Sequence, residues 1–145
     1  MNGNEYQDKA HSFATKGGDT LLYSLLGAIE EVGEICEKTT IDRSTDMTDE
    51  IHWKVKQFIG LSKEIGALAK KVRKEWETFT NEQRASILKT KGTDGIDKEV
   101  GDSAWMLANV AHHLGFKMDD ILEQNISKLD DRLKRNVLIG SGDNR

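Results

Sequence analysis

The sequence predicts an all-α protein, an antiparallel helical bundle, and three observations carry that expectation. Apolar residues recur at steps of three and four along almost the whole chain. There is no proline, and the β-branched residues never gather in alternating runs, which argues against a sandwich or barrel. Short polar or glycine-containing stretches join the amphipathic segments, the connectivity of antiparallel neighbours. The 145 residues suit one domain, 1–145, with a real core. Hydrophobic residues at 37% and charged residues at 32% fit that modest core and exclude a disordered chain.

Each element has its own signal. A first helix over 4–15 carries Tyr6, Ala10, Phe13 and Ala14 on one side. Lys16-Gly17-Gly18-Asp19 is a loop, and Asp19 or Thr20 is the N-cap of a second helix running to Lys38. Leu22, Leu25, Leu26, Ile29, Val32 and Cys36 form its stripe. Residues 39–47 read as a polar loop. A long helix over 48–77 follows, with Ile51, Val55, Phe58, Ile65, Leu68, Val72 and Trp76 in register. Gly60 and Gly66 weaken it by about 1 kcal/mol each relative to alanine. Thr80-Asn81-Glu82-Gln83 has the form of a capping box opening a short helix to Leu88. After a loop at 91–95, a helix over 96–114 is ended by Gly115, and a last one spans 118–135. The tail, 137–145, has no periodicity.

Several classes of function are excluded at this level. The longest apolar run, Leu21 to Ile29, is broken by Ser24 and Gly27, so no membrane-spanning segment is expected. The polar start shows no signal peptide, and a single cysteine, Cys36, permits no internal disulfide or cysteine-built zinc site. A reducing cytoplasm, of a bacterium or a phage-infected host, is the simplest compartment. A net charge of −4 argues against a nucleic-acid partner.

Two acidic clusters stand out, Glu30-Glu31-Val32-Gly33-Glu34 and Glu99-Val100-Gly101-Asp102. Residues three apart share a helix face, so Glu31 pairs with Glu34 and Glu99 with Asp102. If the two helices pack side by side, four carboxylates converge, and a hard divalent cation would offset their repulsion. An oxygen-only set favours Mg2+, with Mn2+ able to substitute, over iron or zinc. No glutamate has a histidine three residues later, as a di-iron bundle would want. Solvated acids are the plainer reading, and on the second helix the acids lie opposite the apolar arc. On the later helix, Glu99 falls between Met106 and Val110, within the apolar arc, so a base or a metal should meet it. Asn125, Lys128, Arg132 and Arg135 form a ridge on the last helix, readable as a solvated edge or a phosphate clamp.

These elements resemble the MazG-like all-α nucleoside triphosphate pyrophosphohydrolases. Glu30-Glu31-x-x-Glu34 and Glu99-x-x-Asp102 look like the family's acidic signature. Tyr6-Gln7 opens the first helix as in many members, and Lys98 to Ala108 is similar to the second-motif helix. Asn125-Ile-Ser-Lys128-Leu-x-x-Arg132 matches the pattern after it, and the glycine-containing tail to Arg145 is similar to phage and bacterial endings. The resemblance covers about 1–38 and 97–145. Two departures stand against it. The 64 residues between Glu34 and Glu99 far exceed the usual spacing, making 39–95 an insertion. Met106 stands where many members have tyrosine.

The resemblance implies metal-dependent cleavage between the α- and β-phosphates of a nucleoside triphosphate, giving the monophosphate and pyrophosphate. It implies Glu31, Glu34, Glu99 and Asp102 as metal ligands, and Glu30, or a ligating carboxylate, as the group holding or deprotonating water. Lys128, Arg132 and Arg145 would balance the phosphates. Asn125 would bond sugar, phosphate or a metal-bound water, and Tyr6 and Gln7, with Phe13, Trp105 and Asn109, are candidates for the base pocket. A dGTP or GTP substrate, nucleotide-pool control and a homodimer or homotetramer are the accompanying expectations. An all-α dUTP diphosphatase is the close alternative, and a non-catalytic helical interaction protein is the alternative of another class.

Overall fold

The structure is a computed structural model that describes residues 1–14, 20–40, 47–83 and 95–138. The described residues are helical, with no strand among them, as the periodicity predicts. The helices are α1 (Gly3–Ser12), α2 (Leu21–Glu37), α3 (Asp49–Trp76), α4 (Ile96–His113) and α5 (Met118–Lys134). The chain forms two compact units, one of residues 16–88 and one of 1–15 with 89–145.

Local sequence sets the boundaries. Asn2 and Glu5 make both bonds of a capping box at α1, which ends earlier than the periodicity predicts, at Ser12. Thr20 caps α2 by accepting from the Tyr23 N–H, settling the choice between Thr20 and Asp19. Thr48 does the same for α3 at Ile51. The Thr80–Gln83 capping box is present in both directions, at 2.8 Å and 3.2 Å. The remainder of that short helix and the loop after it, like the tail with Arg145, lie outside the described residues. At the end of α4, Gly115 takes a φ of 76°, and Phe116 N–H bonds back to the Ala111 carbonyl at 2.9 Å. That closing turn needs a left-handed residue, and glycine adopts it without a Cβ clash. Asn136 plays the same part after α5, with a φ of 57°.

In the unit of 16–88, α2 and α3 form an antiparallel hairpin. Tyr23 meets Arg73 and Glu77, Glu30 meets Lys70 and Arg73, and Gly33 meets Gly66, so numbers rise on one helix as they fall on the other. A Cβ placed on Gly33 would lie 2.7 Å from the Gly66 Cα. The glycine that weakens the long helix in isolation is therefore what lets α2 approach it. Trp76 is the largest fully buried side chain, its ring 5.5 Å from that of Phe79. The helix expected as an insertion is thus the packing partner of the first acidic helix. In the other unit, α1 packs on α5, and Tyr6 Oη donates to Asn125 Oδ1 at 2.9 Å.

Candidate functional site

The sequence-predicted acids divide by how the fold treats them. Glu30 is 4% exposed and faces α3, not the solvent expected from its position opposite the apolar arc. Its Oε2 accepts from Arg73 Nε at 2.8 Å and Nη2 at 2.7 Å, and its Oε1 meets Lys70 Nζ at 3.2 Å. A carboxylate this deep requires counter-charge and hydrogen bonds, and the two bases supply both. Both oxygens are committed, so the geometry holds Glu30 as an anchor of the hairpin. Glu34, one turn on, accepts from the same Lys70 at 3.1 Å through Oε1. Glu31, on the next flank of α2, is exposed and has no charged partner among the described residues.

Around Arg73 the network continues. Its Nη1 donates to Tyr23 Oη at 3.0 Å, and its guanidinium carbon sits 5.1 Å from the centre of the Tyr23 ring. The Tyr23 hydroxyl in turn donates to Glu77 Oε1 at 3.0 Å. Burial pushes the Tyr23 phenol above its ordinary range, with Glu77 adding to the rise and Arg73 opposing it. The hydrogen bond to Glu34 raises the Lys70 ammonium, with Glu30 contributing and burial working against it. Lys70, Arg73, Tyr23 and Glu77 were all missed in the sequence. The available signal was their spacing: Gly66, Lys70, Arg73 and Glu77 recur at three and four, a second stripe beside the apolar one.

In the other unit, Glu99 and Asp102 lie one turn apart on α4, both exposed and without a charged partner among the described residues. The arc around Glu99 on α4 is exposed with it, Val100 and Met106 included. Asn125 is held by Tyr6, which joins two predicted substrate residues from opposite ends of the sequence. Burial raises the Tyr6 phenol. Arg132 is buried, whereas Lys128 and Gln7 are exposed. Arg135 is exposed and pairs with Asp131 at 2.7 Å, the solvated edge among the ridge residues. Beside this ridge, Lys9, Phe13, Glu123, Ile126 and Asp130 line an open hollow of about 510 Å³ between α1 and α5. Phe13 borders that hollow; Trp105 is exposed.

Each acid pair offers oxygen donors alone, the set a hard cation takes. Mg2+ commonly uses one or two carboxylates and completes its shell with water and phosphate oxygens, so a pair such as Glu99 and Asp102 fits that demand. Among the described residues no group of three or more His, Cys, Asp or Glu side chains is gathered to hold a metal. No described helix is long and apolar enough to cross a membrane.

No family model matches the chain, and no solved structure matches it. The Gene 37 protein of Mycobacterium phage L5 is 32% identical over 87 residues, which span 60% of this chain and 72% of that protein. That likeness over most of the relative's length places the chain in the same family as the Gene 37 protein of Mycobacterium phage L5.

Proposed function

We propose that the protein is a metal-dependent nucleoside triphosphate pyrophosphohydrolase acting in nucleotide-pool control, assembled as a homodimer or homotetramer. One observation carries this reading. The fold neutralises Glu30 completely and Glu34 partly, yet leaves Glu31, Glu99 and Asp102 exposed and unmatched by any described base. Acids kept at helical spacing without counter-charge are suited to cation binding. The order of the motifs, which resembles that of the MazG-like pyrophosphohydrolases, supports the reaction class.

Glu31 and Glu34 on α2, and Glu99 and Asp102 on α4, would hold Mg2+ or Mn2+. The cation would neutralise a triphosphate and lower the pKa of a bound water. The chain's own residues do the rest. Glu30, fixed by Arg73 and Lys70, holds the register of α2 so that Glu31 and Glu34 keep their direction. Lys128 and Arg132 would place positive charge toward the phosphates. Asn125, oriented by Tyr6, keeps its amide nitrogen available to donate to a sugar or phosphate oxygen. A guanine nucleotide, dGTP first, is the proposed substrate, with dUTP the close alternative.

The deciding experiment is Mg2+-dependent pyrophosphate release from a panel of nucleoside triphosphates, with product monophosphate identified. Release from one nucleotide above all others, lost with chelator, is expected. A second reading, a non-catalytic helical interaction protein, is favoured by the exposed apolar residues of α2 and α3. No turnover of any nucleotide with either metal would leave that second reading standing.

A further inference from the structure

Lys70 stands between two carboxylates of α2, and the two ends of that bridge are unlike. Its Nζ lies 3.2 Å from Glu30 Oε1 and 3.1 Å from Glu34 Oε1. The Glu30 end is closed, because that side chain is 5% exposed and its other oxygen is taken by Arg73. The Glu34 end is only half-buried within the hairpin, with Glu34 29% and Lys70 31% exposed. A buried, hydrogen-bonded ion pair is costly to separate, whereas a half-exposed one contributes little. The bridge is therefore built to release Glu34 and keep Glu30.

The charges around it balance. Glu30 and Glu34 meet Arg73 and Lys70, two carboxylates against two bases, so the group carries no net charge. Glu37 and Lys63, which line the small hollow of about 90 Å³ beside it, add one charge of each sign. An oxygen site holds a hard cation more tightly the more charge its ligands bring. With the ammonium on Glu34, the pair Glu31 and Glu34 offers a bare divalent ion little more than the charge of Glu31. A metal–triphosphate complex differs, because its net charge is negative and an ammonium attracts it.

We propose that Lys70 is a positioning residue that acts as a resident cation on Glu34, so that the α2 pair takes its divalent ion together with the triphosphate and not alone. The inference rests on the assignment of Glu31 and Glu34 to the cation. It adds a residue from the 39–95 segment, outside the acidic motifs. Lys70, once released from Glu34, turns its ammonium on a flexible stem to the phosphate oxygens, while Arg73 keeps Glu30 in place.

The test measures binding, not turnover. Free Mn2+ is titrated by electron paramagnetic resonance, and inorganic triphosphate by calorimetry with Mn2+ in excess. Lys70→Met is expected to tighten free Mn2+ by about fivefold or more, and to weaken the Mn2+–triphosphate complex by about as much. Lys70→Gln retains a donor for Glu30 and should do the same; it carries the test should Lys70→Met lose helicity by circular dichroism. Adding Glu34→Gln to Lys70→Met should remove the gain. Lys71→Met takes away an equal charge about 100° around α3 and should leave both affinities near wild type. Free Mn2+ affinity unchanged or weakened in Lys70→Met overturns the proposal, as does an equal gain in Lys71→Met or a complex bound as tightly as by the wild type. Pyrophosphate release by the wild type reports on the reaction separately. Turnover with a Mn2+ affinity indifferent to Lys70 removes the gate and keeps the enzyme. The two opposite shifts without turnover keep the gate and remove the hydrolysis. No Mn2+ bound by wild type or Lys70→Met overturns the gate and the ligand assignment together.

Discussion

Arg73 reaches across the hairpin to the buried carboxylate of Glu30, placing Nε and Nη2 within 2.8 Å and 2.7 Å of one oxygen while Lys70 takes the other. The contact joins two helices 43 residues apart in sequence. Arg73→Met strips the main counter-charge from a carboxylate that cannot reach water. It should cost about 3 kcal/mol of stability in urea denaturation. Glu30→Gln with Arg73→Met should recover part of that loss, because no charge is then left stranded. A double variant no more stable than Arg73→Met would show that the pair is not energetically coupled.

The same hairpin predicts opposite signs for one substitution at two glycines of α2. Gly33→Ala drives a methyl to 2.7 Å from the Gly66 Cα, backbone that cannot step aside. It should destabilise by about 2 kcal/mol. Gly27→Ala meets nothing within 4 Å and should stabilise by up to about 1 kcal/mol, through helix propensity alone. Thermal melts of the two variants side by side check the crossing.

Alkaline pH should loosen the hairpin. Lys70 titrates above its ordinary 10.5 and Tyr23 above its ordinary 10.0. A raised folded pKa means the protonated form is favoured by folding. Its stabilisation is complete below the unfolded value and disappears as pH rises through the folded one. The melting temperature should therefore hold to about pH 9.5 and fall beyond it. Lys70→Met should flatten part of that fall. Phenolate absorbance should show both tyrosines ionising late, Tyr6 as well as Tyr23, and Tyr23→Phe should remove the one whose ionisation accompanies loss of helicity.

If the acids serve a cation, Glu34→Gln and Asp102→Asn should abolish nucleotide turnover at saturating Mg2+. Glu31→Gln should lower it by at least tenfold. None of the exposed pair, Glu99 and Asp102, should lower metal-free stability when neutralised, since no described base depends on either. Near wild-type turnover in Glu34→Gln or Asp102→Asn would show that the ligand assignment is wrong.

Tyr6→Phe removes the hydroxyl that holds Asn125. It should cost about 1 kcal/mol of stability. In the proposed enzyme it should raise KM more than it lowers kcat, because Asn125 remains present but less well oriented. Asn125→Ala should affect both constants. Equal kinetics for Tyr6→Phe and wild type would confine the hydrogen bond to a packing role.

The helices themselves were legible in the sequence, because a helix is specified locally: apolar residues at steps of three and four, Thr20 and Thr48 as caps, Gly115 as the left-handed stop. The acidic pairs were legible for the same reason, since spacing alone puts Glu31 with Glu34 and Glu99 with Asp102. What periodicity could not supply was which side of α2 faces inward. An amphipathic pattern predicts the apolar stripe at the helix contact, yet α2 and α3 meet through glycines and ions. Gly33 and Gly66 bring the backbones close, and at that distance Arg73 and Lys70 reach Glu30, which the wheel had placed in solvent. A buried charge is tolerated only where its partner is within hydrogen-bond reach, and that partner lies 43 residues away. The sequence by itself thus determined the elements and the acids they carry. The tertiary structure alone decided that Glu30 is an anchor and that α2 and α3 meet through glycines and ions instead of their apolar stripes.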